Sequence, residues 1–145
     1  MINPPLRSPR EKTGRLYYFG RMIDKIRLHL RGELSEDYHA NFGQIRSLDG
    51  LLSGFVNRSH AAIVERVKQG GTDEEILEWC FAQGFRPNET QIYVWNSFAE
   101  KLGWRDSVSR TVTKIREATG AGTVGLETIF DSIDADEGRS IEADA

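Results

Sequence analysis

One periodicity limits what this chain can become. Between positions 19 and 30, Phe19, Met22, Ile23, Ile26 and Leu30 recur at intervals of three and four residues. That spacing lines one face of a helix with 3.6 residues per turn. Burying each of these side chains against a core contributes about 1.5–3 kcal/mol before entropy is charged against it. Arg21, Asp24, Lys25 and Leu28 fall on the opposite side, where Asp24 relieves the like charges of Arg21 and Lys25. Gly32 ends the helix, with Arg31 suited to the negative end of its dipole. The same spacing recurs along the chain, and no segment alternates with period two for long enough to argue a sheet. The expected class is all-α: a single compact bundle of about five to seven helices, one domain over residues 1–145.

Helix boundaries follow from caps and breakers. Ser8-Pro9 suits a short helical turn in an otherwise extended, basic segment 1–15. Ile45, Leu48, Leu51, Leu52 and Phe55 keep helical spacing, but Gly50 and Gly54 each weaken a helix by about 1 kcal/mol, so a short, irregular one is expected. Asn57 or Ser59 caps the next, which carries Ile63, Val64 and Val67 and stops at Gly70-Gly71. Thr72 with Glu75, and Asn88 with Gln91, are capping boxes that open helices over 73–83 and 88–102. Gly84 and Gly103, each followed by an aromatic residue, close them. The short connection predicts a central antiparallel helical hairpin. A helix over 106–118 is broken at Thr119-Gly120-Ala121-Gly122, and Leu126, Ile129, Phe130 and Ile133 mark a last one before an acidic, extended tail at 136–145. Trp79, Trp95 and Trp104 are expected in the core.

Composition adds bounds on function. A hydrophobic content of 39% and a charged content of 28% suit a soluble globular protein. No stretch reaches the 18 or more apolar residues of a membrane helix, and the first residues lack a signal-peptide core. Cys80 is the only cysteine, which rules out an intrachain disulfide. It sits among Ile76, Leu77 and Phe81, as a buried, unreactive thiol would. These features point to a cytoplasmic protein. The net charge is −3, unevenly spread. Residues 1–31 hold eight basic side chains against two acids, and residues 127–145 hold seven acids against Arg139. Such polarity makes either a basic patch for an anionic partner or two ends that pair with each other.

The densest group of ionisable residues is Arg21, Asp24 and Lys25, with Glu36-Asp37-Tyr38-His39 a short loop away. As an ordinary solvated face it would hold ion pairs worth about 0–1 kcal/mol each. Folded together, it would bind or shuttle protons. Two functional readings follow. The first is a non-catalytic module that binds an anionic small molecule or a protein partner through Arg7, Arg10, Arg21, Asp24, Lys25, Tyr38 and His39, since guanidinium groups suit phosphate and carboxylate. The second is a small enzyme in which His39 acts as general acid or base, oriented by Asp24 or Asp37, while Arg21 or Lys25 holds an anion.

Other motifs fail. From Asp134, a calcium loop would place Gly138 fifth and Arg139 sixth, where glycine is needed. The pair of helices over 73–102 is too acidic to face DNA phosphates. Gly120-Ala121-Gly122-Thr123 lacks the lysine of a phosphate loop, no serine sits in a nucleophile elbow, and the three histidines lack metal spacing. No metal and no cofactor is expected, and oligomeric state is open.

Several distinctive strings stand in order across most of the chain: Leu6-Arg7-Ser8-Pro9-Arg10, Gly20-Arg21-Met22-Ile23-Asp24-Lys25, Asp37-Tyr38-His39 with Asn41, and Asp73-Glu74-Glu75-Ile76-Leu77. Val94-Trp95-Asn96, Gly103-Trp104-Arg105-Asp106 and Phe130-Asp131-Ser132-Ile133-Asp134 continue the series. In these the chain resembles a family of small bacterial proteins catalogued as domain of unknown function 5069. It departs between Gln44 and Ala61, where Leu51 stands after Asp49-Gly50 in place of an arginine. The resemblance implies a helical domain and no particular activity.

Overall fold

A computed structural model describes residues 6–82, 85–119 and 125–141. Seven α-helices are found among them: α1 (Phe19–Leu30), α2 (Leu48–Val56), α3 (His60–Lys68), α4 (Asp73–Ala82), α5 (Glu89–Lys101), α6 (Ser109–Thr119) and α7 (Ile129–Asp136). A single 3-10 turn covers Glu36–Tyr38. The fold is all-α but for one small ribbon. Strand β1 (Lys12–Thr13) pairs antiparallel with β2 (Leu16–Tyr17), in the register Lys12 to Tyr17 and Thr13 to Leu16. Two residues per strand are too few for an alternating pattern to register in a sequence. The helical turn expected at Ser8-Pro9 is instead a tight turn leading into this ribbon, with the Glu11 amide donating to Ser8 O at 3.0 Å.

The caps form as their residue types require. Ser59 Oγ accepts from the Ala62 amide. Thr72 with Glu75 and Asn88 with Gln91 close their boxes reciprocally. Thr128 with Asp131 makes a further box opening α7. Asn57 ends α2 in the left-handed conformation, at φ 62°. Gly50, which should weaken α2, has a packing reason: the backbone of Gln44 and Ile45 crosses so close that no Cβ would fit. The breaks expected at Gly84 and at Gly120 to Gly122 lie outside the described residues.

Helix α1 runs through the centre. Phe19, Met22, Ile23 and Ile26 are fully buried, in one cluster with Leu52, Val56, Ile63, Ile76, Trp95 and Phe130 from five other helices. Helix α4 packs on α3, whereas α5 packs on β2 and α7. The α5–β2 seam is held by Trp95 Nε1 donating to Tyr17 O at 3.1 Å and by Asn96 on the backbone of Arg15 and Tyr17. Trp95 is core as expected, but Trp104 is half exposed, its ring covered by the Arg105 guanidinium.

Candidate functional site

The polar side of α1 is not a solvated face. Arg21 and Lys25 are 2% and 5% exposed. Each must therefore carry a partner into the interior, because an unpaired buried charge costs several kcal/mol. Arg21 forms a fork with Glu137, Nη1 to Oε1 at 2.8 Å and Nη2 to Oε2 at 2.6 Å. Lys25 Nζ lies 3.2 and 3.1 Å from the two carboxylate oxygens of Asp49. Asp24, expected between Arg21 and Lys25, is held by Arg7 instead, which donates its backbone N–H, Nε and Nη2 at 2.8–3.0 Å. Arg7 also pairs with Asp73, as does Arg27.

Two networks grow from these pairs. In the first, the oppositely charged ends of the chain meet. Arg10 bonds Asp131 and Asp134, Ser8 Oγ donates to Asp134, Arg139 reaches Asp134, Glu137 and Leu6 O, and the Tyr38 hydroxyl donates to Glu137 at 2.8 Å. Burial opposes ionisation of Glu137, but the bonds from Arg21, Tyr38 and Arg139 hold its carboxyl below the usual range. The residues expected to trail as an acidic tail thus fold into the core as far as Glu137.

The second network centres on Asp49, which has no exposed surface. It accepts from the Tyr18 hydroxyl at 2.7 Å, from the Gly43 amide at 2.9 Å and from Lys25. His60 Nε2 stands 3.8 Å away, buried and with no hydrogen-bond partner among the described residues. Burial lowers the pKa of Lys25, with Arg21 adding to the effect, and Asp49 opposes both. The same burial pushes the Tyr18 phenol up and His60 down. Tyr18 also carries backbone strain. It caps α1 at φ 77°, a conformation costly for a bulky side chain.

Between the networks opens a pocket of about 380 Å³. Tyr18, Arg21 and Lys25 contribute to it from the start of α1. Leu102, Val108, Ile115, Ile129 and Ile133 supply an aliphatic wall from the far end of α5, from α6 and from α7. Tyr38 and Arg46 come from the segment between α1 and α2. Arg46 is exposed and has no ion-pair partner among the described residues. Arg21 has committed both terminal nitrogens, yet its buried Nε has no hydrogen-bond partner among the described residues.

Of the residues singled out from sequence, Arg21, Lys25 and Tyr38 meet at this pocket, while Arg7, Arg10 and Asp24 are committed to ion pairs elsewhere. His39 is exposed and bonded to Leu34 O at 2.9 Å, so the expected Asp24–Lys25–His39 cluster does not assemble. Sequence reasoning missed Tyr18, Arg46, Asp49 and Glu137. Asp49 had a faint signal, as a lone carboxylate in the otherwise apolar α2.

Residues 3–139 match the family described as Domain of unknown function (DUF5069). The chain belongs to the DUF5069 family. No curated protein matches it. Membership in DUF5069 brings the chain no assigned activity.

Proposed function

We propose that this protein binds a small amphipathic anion in the pocket between α1, α6 and α7. The observation that carries the reading is Arg46, exposed and without an ion-pair partner among the described residues, at a cavity that also presents the aliphatic side chains of Leu102, Val108, Ile115, Ile129 and Ile133. The wall suits an apolar body, and Arg46 supplies an exposed cation at the same cavity. A volume of 380 Å³ lies within the range of small-molecule sites. The basic segment around Arg7 and Arg10 is the weaker candidate, because its guanidinium groups already have carboxylate partners.

The test is thermal unfolding against a panel of carboxylates and phosphate esters with aliphatic or aromatic tails. Binding raises stability by RT ln(1 + [L]/Kd), about 2.7 kcal/mol at a hundredfold excess over Kd. A member of the panel should raise the melting temperature, and Thr111→Trp, which fills the pocket from an exposed position on α6, should abolish the rise. A panel with no effect, or an unchanged response in Thr111→Trp, overturns the reading.

A further inference from the structure

We propose that Lys25 is a carbonyl-capturing amine, and that the pocket takes an α-keto acid with an apolar tail, held as an imine on Lys25 Nζ. This rests on the ligand-binding reading above and assigns the pocket its chemistry. Imine formation needs an amine, a base to receive its proton, and an acid to protonate the departing oxygen. All three stand together. Nζ lies 3.1 Å from Asp49 Oδ2 and 3.3 Å from the Tyr18 hydroxyl, and both Lys25 and Tyr18 line the cavity.

The arrangement exceeds what neutralising Asp49 requires. Asp49 already receives hydrogen bonds from Tyr18 and Gly43, and a buried ion pair is a poor source of stability compared with apolar packing. Tyr18 reaches this point from a left-handed backbone that a tyrosine adopts only at a cost. Lysine amines become nucleophilic when desolvated or set beside another cation. Lys25 meets both conditions, being 5% exposed and one helical turn from Arg21. The keto-acid class follows from the neighbours. Arg46, exposed and without an ion-pair partner among the described residues, lines the same cavity as Lys25 and offers a guanidinium for a carboxylate attached to the captured carbonyl.

In the step, Lys25 gives its proton to Asp49, and the neutral Nζ attacks the carbonyl carbon. The resulting carbinolamine loses its hydroxyl, protonated by the Tyr18–Asp49 pair, as water. The balance is amine plus ketone to imine plus water, with no redox change.

The full-length protein is incubated with phenylpyruvate, and separately with pyruvate, in the presence of cyanoborohydride, which reduces an imine to a stable secondary amine. Intact mass and peptide mapping should show one adduct per chain, on Lys25. Lys25→Arg, which keeps the charge facing Asp49, should lose it, and Tyr18→Phe should slow it by about a hundredfold. An adduct spread over Lys12, Lys68, Lys101 and Lys114, or none, overturns the proposal, and mapping the parent protein decides this whether or not the variants fold. Thermal shifts with phenylpyruvate, run in parallel, separate the two readings. A shift without an adduct overturns the imine and leaves binding standing, whereas neither shift nor adduct overturns the imine and counts against the pocket.

Discussion

Several charged side chains of this protein are held out of water, each against a partner of opposite charge. Glu137 is 1% exposed and accepts four hydrogen bonds, two from Arg21 and one each from Tyr38 and Arg139. Glu137→Gln leaves Arg21 buried against a neutral amide and should cost about 3–5 kcal/mol, read from the urea midpoint. Asp24→Ala should cost less, about 1.5–3 kcal/mol, because Arg7 keeps Asp73. The pH dependence follows from Glu137 and Asp73, both held below their ordinary values, Asp73 by Arg7 and Arg27. A carboxyl with a lowered native pKa contributes stability that is whole above its unfolded value, about 4. That contribution is lost as pH falls through the native value. His60 adds an earlier loss. Its native pKa is lowered by burial, so the unfolded chain takes up the proton first, and stability should begin to fall below about pH 6.5. Denaturation followed from pH 8 to 3 should show both phases, with the earlier one missing in His60→Gln. Burial pushes the Cys80 thiol up to about 11, so iodoacetamide at pH 8 should label it only as the protein unfolds.

Helices declare themselves in a sequence where local chemistry decides them. The capping boxes at Thr72 and Asn88, the cap at Ser59 and the apolar stripe of α1 are set by residues within a turn or two of each other, and all were legible. The burial of Arg21 and Lys25 was not. Their partners lie 116 and 24 residues away, a separation that periodicity cannot sense, so a largely enclosed helix read as an amphipathic one. Only the opposite charges of the two ends hinted at the first pair, and only the lone carboxylate of Asp49 in an apolar α2 hinted at the second. The pocket was illegible for the same reason, since its aliphatic wall belongs to helices remote from α1. Helix α7 shows how much one element can hold. Thr128→Ala removes a cap and should cost about 1 kcal/mol in chemical denaturation. A chain ended at residue 127 loses Asp131, Asp134 and Glu137 together and should show no cooperative transition by circular dichroism.

At the scale of the whole molecule the two ends are joined by charge. Ser8 and Asp134 are 126 positions apart yet 2.8 Å from each other, and Arg10 binds the same carboxylate. We expect tryptophan fluorescence and circular dichroism to report a single shared transition in urea, because release of either end exposes the cations at the start of α1. The same closure bears on how the chain is made. Synthesis delivers the amino-terminal residues first, at about 5–20 residues per second. Arg10 and Arg21 therefore emerge from the ribosome well before their carboxylates exist. Until α7 clears the exit tunnel, α1 has no way to enter a core without stranding a guanidinium in it. We expect limited proteolysis of ribosome-bound chains to find the basic segment open until Glu137 has emerged. Consolidation of α1 is thereby tied to the synthesis of a carboxylate 116 residues later.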